Sequence, residues 1–205
     1  MVAGVLSIHE GLGASGRLPG LARERSRVTA LELAILGSLG FGAALLSAYG
    51  KTGLGLPGHN LLRVIFPMAM GLALVPRHGS GTIMGLGGLA GGALLAVLGP
   101  HGLGAGALTG LVLLGLALDV AMLGAGSGRA VYLRFAAAGL GVNLVALAAR
   151  AALKVSLHEP KLAAWLPKAL VCYPVCGLLA GLISAAVWFR IQARSQPRPG
   201  SEASA

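Results

Sequence analysis

The sequence predicts an all-α integral membrane protein, a bundle of six transmembrane helices with both termini in the cytoplasm. Of its 205 residues, 56% are hydrophobic and 11% are charged, whereas a soluble domain carries roughly 25% charged residues. The apolar residues form runs that approach or exceed the roughly 20 residues that a membrane-spanning helix needs. Gly is abundant, at 34 residues, and occurs inside these runs, where small residues let helices pack closely in lipid.

The six apolar runs give one membrane domain, residues 28–191, between a basic cytoplasmic N-terminal arm, residues 1–27, and a polar, disordered cytoplasmic tail, residues 192–205. The second run is the shortest and contains Pro67, so a tilted, broken or merged helix stays open there. The predicted spans are approximately residues 28–49, 61–75, 82–98, 103–123, 130–153 and 165–191.

Each span is delimited by residues that break or end helices. The first span follows three arginines of the N-terminal arm and ends at the Gly- and Pro-rich loop 50–60. The basic turn 76–81 separates the second span from the third, and the Gly-Pro-His-Gly turn 99–102 precedes the fourth. The glycine-rich turn 124–128 precedes the fifth span, and the polar loop 154–161 precedes the sixth.

The orientation follows from the distribution of Lys and Arg, which are enriched in short cytoplasmic loops. With the N-terminus inside, the loops on the outer side hold Lys51, Lys154 and Lys161, with Lys168 nearby. An even number of spans then leaves both basic tails in the cytoplasm. The inner side holds nine arginines, namely Arg17, Arg23, Arg25, Arg27, Arg77, Arg129, Arg190, Arg194 and Arg198.

Several functional classes are disfavoured by the residues present. The net charge of +10 does not indicate nucleic-acid binding, because the basic residues lie at helix ends and not on one stripe with aromatics. No phosphate-binding loop of the Walker type occurs. The HGSG segment, residues 78–81, resembles the serine motif of rhomboid proteases, but it begins with His instead of Gly, and the sixth span has no His to act as base. We therefore expect neither an enzyme nor a cofactor.

The loops on the outer side contain the residues that are best suited to hold a ligand. His59, His101 and His158 come from three such loops, and imidazole is a common ligand of transition metals; histidines at the membrane interface are the favoured explanation, so no metal site is predicted. Arg63 lies just inside the second span, either to bind an anionic or polar ligand or to reach the interface. The predicted substrate-binding residues are Lys51, His59, Asn60, Arg63, His101, Asn143, Glu159 and Trp165.

Other polar residues within the spans have structural explanations. Asp119 lies near the cytoplasmic end of its span, and an ion pair with Arg129 or Arg134 across the next turn is expected. Glu32 lies one turn inside the first span, beside the basic arm, and a similar structural pair is expected for it. Cys172 and Cys176, four residues apart, are interpreted as small buried side chains on one helix face.

Small residues recur on one face of the first span, at Ala30, Ala34 and Ser38, a spacing that lets another helix approach closely. This pattern, the size and the six spans together resemble the substrate-binding (S) component of energy-coupling factor (ECF) transporters. Residues 56–85, LPGHNLLRVIFPMAMGLALVPRHGSGTIMG, resemble the second and third helices of that family. Residues 114–123, LGLALDVAML, are similar to its fourth-helix segment.

The resemblance implies a subunit that captures a vitamin, a vitamin precursor or a metal ion at the outer face of the cell membrane. It implies docking of Ala30, Ala34 and Ser38 onto a transmembrane T component that is coupled to two ATPase subunits, and a first loop that covers the substrate. The nickel and cobalt members have an N-terminal Met-His, and Val2 disfavours that subclass. A membrane scaffold or assembly subunit of a larger complex, without transport activity, is the alternative.

Overall fold

The computed structural model describes residues 29–50, 58–75, 77–98, 105–123, 128–158 and 162–195. Within these ranges the chain is all-helical, with no strand. Each predicted span corresponds to one helix, although the helix ends differ by a few residues. The helices are α1 (Ala30–Tyr49), α2 (Leu61–Leu74), α3 (Ser80–Leu98), α4 (Ala105–Met122), α5 (Gly128–Ser156) and α6 (Leu162–Ser195).

Four of these helices are long and apolar enough to cross a membrane, which indicates a membrane protein. They are α1, α3, the stretch Ala130–Ser156 of α5 and the stretch Leu162–Phe189 of α6. Helix α2 has 14 residues and rises about 21 Å at 1.5 Å per residue, less than the roughly 30 Å hydrocarbon core. Helix α4 is also shorter and apolar.

Helices α1, α3, α4, α5 and α6 form an arc in which each contacts the next, and α2 closes the arc between α1 and α6. Helix α2 contacts all five of the other helices. Most of its side chains are buried, including Ile65 and Met68, which are fully inaccessible. A helix that is surrounded by protein does not need the length of a lipid-facing span, because its ends are not exposed to hydrocarbon.

Glycines bring the helices of the arc into backbone contact. A β-carbon on Gly40 of α1 would overlap the carbonyl oxygen of Met84 in α3, and one on Gly181 of α6 would overlap the carbonyl oxygen of Phe135 in α5. Such close approach is the usual basis of helix association in lipid, where apolar burial gives no driving force between helices. Several glycines of the described helices therefore lie at contacts between neighbouring helices.

The two longest helices extend beyond their predicted ends. Helix α5 continues to Ser156, so Lys154 lies on a helix and not in the predicted loop 154–161. Helix α6 begins at Leu162 and continues to Ser195 despite Pro167 and Pro174. A helix can continue through polar residues beyond its apolar part. A prediction that ends the span at the last apolar residue therefore underestimates the length of the helix.

Successive helices alternate in direction, so the starts and ends of the helices gather at two opposite ends of the bundle. The Arg77 end contains the start of α1 with Glu32, the turn at Arg77 and the end of α4 with Asp119. The Trp165 end contains the end of α5 with Lys154 and the start of α6 with Trp165. The N-terminal arm 1–27 lies outside the described residues.

Candidate functional site

The predicted substrate-binding residues divide into described and undescribed positions. Lys51, His101 and Glu159 lie outside the described residues. The remaining five lie toward the Trp165 end or at mid-depth in the bundle: His59 and Asn60 in the turn before α2, Arg63 in its first turn, Asn143 on α5 and Trp165 on α6.

Asn143 joins the turn before α2 to both α5 and α6. It is 3% exposed, and its side-chain Nδ2 donates to the carbonyl oxygens of Tyr173 at 2.8 Å and Gly58 at 3.3 Å. Gly58 has a φ of +88°, and a β-carbon there would lie 3.1 Å from Cα of Tyr173. Only glycine fits this left-handed, close-packed position without strain. Asn143, one of the predicted substrate-binding residues, is a buried anchor for the backbone in this structure.

This junction lies deep in the bundle. Asn143 lies 13 residues before the end of α5 and Tyr173 lies 11 residues after the start of α6, which correspond to about 20 Å and 16 Å along the helices. The chain that leads into α2 therefore meets α5 and α6 well below the Trp165 end. Non-helical backbone at such depth is tolerated where protein buries it or where it borders a watery cavity.

Between this junction and the Trp165 end, α5 and α6 present two facing stripes of side chains. Arg150 and Lys154 lie seven and eleven residues after Asn143, on the same face of α5. Trp165 lies eight residues before Tyr173 on α6, and their rings pack edge to face with centroids 6.4 Å apart. The Nζ atom of Lys154 lies 5.4 Å from the centre of the Trp165 ring, a cation–π contact.

The hydroxyl of Tyr173 is a buried polar group at the centre of this arrangement. Tyr173 is 2% exposed, and its Oη has no hydrogen-bond partner among the described residues. Arg150 and Lys154 are close enough to interact with it electrostatically. A buried hydroxyl without a well-formed hydrogen bond is costly, and a ligand would contact this inaccessible atom only if the surrounding side chains moved. We call Gly58, Asn143, Arg150, Lys154, Trp165 and Tyr173 the Trp165 site.

Arg63, His59 and Asn60 lie beside this site at the start of α2. The Arg63 side chain packs against the C-terminal end of α1, where a β-carbon on Gly50 would lie 3.1 Å from Nε of Arg63. Asn60 makes no side-chain capping bond to α2, and the turn is closed instead by main-chain bonds such as Leu61 N–H to Gly58 O, 3.3 Å. Arg63 thus lies on the α1 side of α2, whereas Gly58 lies on the α5–α6 side.

At the opposite end, the charged side chains bind parts of the chain itself. Glu32 receives the Thr29 backbone N–H in a capping box at the start of α1 and forms a 2.8 Å salt bridge with Arg77. The structural pair expected for Glu32 is therefore present, and its partner is Arg77, between α2 and α3.

Asp119 caps a helix. Its carboxylate accepts the backbone N–H groups of Gly81 at 2.9 Å and Thr82 at 2.8 Å, and also the Thr82 hydroxyl. Arg134, an expected partner of Asp119, donates instead to the carbonyl oxygens of Ala121 and Leu123 at the end of α4. The start of α3 presents backbone donors that a carboxylate satisfies directly, which explains why Asp119 lies there. The side chain of Arg129 is outside the described part of the chain.

The two ends differ in their charge. Glu32 and Asp119 are the acidic side chains within the described ranges, and both lie at the Arg77 end. Toward the Trp165 end the described residues contribute Arg63, Arg150, Lys154 and Lys168. In the same ranges no group of three or more His, Cys, Asp and Glu side chains is placed to hold a metal ion. The described part of the Trp165 end therefore offers positive charge to a ligand.

The predicted partner face of α1 is exposed. Ala30, Ala34 and Ser38 all lie on the outer surface of the helix, whereas Gly40, Ala43 and Ala44 face the bundle and are buried. The face that packs against α3 is thus the glycine-containing one. The exposed stripe faces lipid or another helix.

The sequence interpretation missed Arg150 and Tyr173, and it counted Lys154 only for orientation. The signal for the two cations was present in their spacing of four residues, which continues the stripe of Asn143 along one helix face. No comparable signal marked Tyr173, because an aromatic residue in an apolar helix is ordinarily part of the core. Cys172 and Cys176 are free and half-buried.

No family model, curated protein or solved structure matches the chain. The resemblance to S components of ECF transporters therefore rests on the sequence features given above, and the site rests on its own geometry.

Proposed function

We propose that the chain is the substrate-capturing membrane subunit of an ATP-driven micronutrient uptake transporter in the cell membrane. In this proposal all six helices cross the membrane region, with α2 shielded by the others, and both termini lie in the cytoplasm. The Arg77 end is then cytoplasmic and the Trp165 end faces outward. The substrate is a vitamin, a vitamin precursor or a metal ion, as the resemblance implies.

The observation that carries the proposal is the depth of the Gly58 junction. A non-helical turn held by Asn143 about 16 Å below the start of α6 leaves the outer halves of α5 and α6 without α2 between them. Substrate sites of membrane transporters commonly lie where helices are interrupted near the middle of the bilayer. Helix α2 begins at such a depth, directly after the non-helical turn at Gly58.

The charge of the site favours an anionic substrate within that class. Arg150 and Lys154 interact electrostatically with Tyr173, and a carboxylate or phosphate group would accept hydrogen bonds from these two cations. Charge-assisted hydrogen bonds of this kind are stronger than neutral ones and set the orientation of a ligand. An organic anion thus fits the described side chains better than a metal ion does.

The partners in this proposal are a T component and two ATPase subunits, because the chain has no phosphate-binding loop of its own. The exposed stripe Ala30, Ala34 and Ser38 supports docking of a helix, since small side chains permit close approach. The same stripe also suits the alternative of a scaffold or assembly subunit, which differs in the partners that it retains.

The first test is purification of the tagged protein in mild detergent from its own host, followed by mass spectrometry of the proteins retained. We expect two ATPases and a second membrane subunit, and we expect Ala34→Leu to reduce their recovery. Ala93→Leu, an equivalent change at an exposed position on α3, is the matched control. Retention of stoichiometric subunits of an unrelated complex would contradict the proposal and favour the scaffold.

A second test addresses the substrate directly. The purified protein is heated with a panel of vitamins and precursors that carry carboxylate or phosphate groups, and a rise in unfolding temperature identifies a ligand. The double variant Arg150→Gln, Lys154→Gln should lose this stabilisation, whereas His78→Gln, in an exposed turn at the Arg77 end, should retain it. Equal stabilisation of both variants would exclude the Trp165 site as the binding site.

A further inference from the structure

A second surface feature lies away from the Trp165 site, between α4 and α5. It is an open groove of about 420 Å³. Its walls are almost entirely apolar, with one charged side chain, Arg134, at one end. The groove is lined by Leu113, Ala117, Val120, Ala121, Arg134, Ala137, Ala138, Gly141, Val142 and Val145.

Small side chains create the groove. Ala117 and Ala121 on α4 face Ala137 and Gly141 on α5, and a β-carbon on Gly141 would meet no atom within 4 Å. The space beside Gly141 is therefore open, unlike the space beside the glycines between α5 and α6. The groove opens outward, because Val120 at its edge is 66% exposed.

Arg134 fixes a positive charge at the end of the groove. Its Nη1 donates to the carbonyl oxygen of Ala121 at 3.0 Å and to that of Leu123. These carbonyls belong to the C-terminal end of α4, so the guanidinium is held at the depth where the helix ends. Arg134 therefore lies near the interface at the Arg77 end, while the rest of the groove extends toward the middle of the bundle.

The length of the groove matches one leaflet of a bilayer. Arg134 and Val145 are 11 residues apart on α5, a distance of about 16 Å at 1.5 Å per residue. Half of the roughly 30 Å hydrocarbon core is about 15 Å. An acyl chain that enters beside Arg134 would therefore run along the groove to about the middle of the bilayer.

We propose that this groove binds an anionic glycerophospholipid, with one acyl chain along the groove and its phosphate paired with Arg134. Basic pockets between transmembrane helices bind anionic lipid head groups in this way. A guanidinium also forms two parallel hydrogen bonds with a phosphate more readily than an ammonium does. The site is separate from the Trp165 site and requires no transport partner.

The test is native mass spectrometry of the detergent-purified protein, titrated with phosphatidylglycerol and with phosphatidylcholine of identical acyl chains. We expect the wild type to bind phosphatidylglycerol more tightly. Arg134→Gln should weaken that binding about fivefold and remove the preference, the size expected for one basic residue near a lipid surface. Lys168→Gln, a charge removed from an exposed position near the other end, should leave it unchanged.

The apolar part of the site is tested by Gly141→Leu, whose β-carbon would meet no neighbour within 4 Å and whose side chain would occupy part of the groove. This variant should weaken binding of both lipids, while Gly42→Leu, at an equally open glycine on α1, should not. The proposal is overturned if Arg134→Gln keeps the preference for phosphatidylglycerol, or if Gly141→Leu binds both lipids as the wild type does. If Arg134→Gln fails to fold, Gly141→Leu still decides whether the groove is occupied.

Discussion

The two ends of the bundle use their charged residues differently. At the Arg77 end, Glu32 pairs with Arg77 and Asp119 caps α3, so acidic and basic groups find partners within the chain. At the Trp165 end, the described side chains include Arg150 and Lys154 around a buried tyrosine hydroxyl, and the acidic residues of the described ranges are all at the other end. Charges that satisfy one another hold a fold together, whereas an excess of one sign beside a buried polar group is suited to a ligand.

The turns of the backbone also differ between the two ends. Near the Arg77 end the turn between α2 and α3 is short, and Ser80 closes it with a 2.8 Å hydrogen bond to the Val75 carbonyl. At the other end, Gly58 contacts Asn143 and Tyr173 about 20 Å from the end of α5 and about 16 Å from the start of α6, and α2 begins at Leu61. In the proposed function, the Arg77 end is mainly structural and the Trp165 end holds the substrate.

Close backbone contacts between helices, such as that of Gly40 with α3, connect the two ends of the bundle. The largest effect on stability is expected there. Gly40→Val would place side-chain atoms against the Met84 backbone in α3, and we expect a loss of about 3 kcal/mol or more in unfolding free energy. Gly42→Val, two residues away with open space around it, should change stability little. Thermal unfolding in detergent, followed by circular dichroism, measures both, and equal stability of the two variants would refute the close α1–α3 contact.

The next largest effect is expected at the Arg77 end. Asp119→Ala removes a charged acceptor from two backbone N–H groups and the Thr82 hydroxyl, and we expect a loss of about 2 kcal/mol. Ligand affinity at the Trp165 site, measured in the protein that remains folded, should be unchanged. A loss of affinity without a loss of stability would reverse the roles that we assign to the two ends.

A smaller loss, about 1 kcal/mol, is expected for Asn143→Leu, because hydrogen bonds between membrane helices contribute modestly on average. The change removes the bonds to the carbonyls of Gly58 and Tyr173 and should release the turn before α2. Hydrogen exchange of the amides of residues 58–63 should therefore accelerate. Unchanged exchange in this segment would show that the turn is held by other contacts.

The smallest effect on stability is expected for the double variant Arg150→Gln, Lys154→Gln. Removal of two like charges at the Trp165 end should change the unfolding free energy by no more than about 0.5 kcal/mol. Affinity for an anionic ligand should nevertheless fall at least about tenfold, since charge-assisted hydrogen bonds are lost. Strong destabilisation of this variant would show that the two cations are structural and would remove the contrast between the ends.

Much of the architecture was predictable because it depends on local properties of the chain. The six helices occur where the apolar runs predicted them, since run length and helix breakers act on neighbouring residues. The breakers placed the short connections at residues such as Gly50 and Arg77. The ends of α5 and α6 were less predictable, because a helix continues into polar residues at no great cost once it has started.

The site was only partly predictable. Asn143 and Trp165 were identified as polar or amphipathic residues in apolar helices, a signal that composition reveals. Their association with Tyr173 and Gly58 depends on how α2 packs between α1 and α6, and no periodicity in the sequence reports that arrangement.

The sequence by itself thus determined the class of protein and the positions and alternating directions of the helices in the described ranges, because these follow from hydropathy and chain breakers. Only the tertiary structure decided which small residues join helices, Gly40 and not Ala34 on α1, and which charges pair. It also decided that Asp119 caps α3. The physical reason is that a hydrogen bond or a backbone contact forms between groups far apart in the chain, and their approach is set by the packing of all six helices.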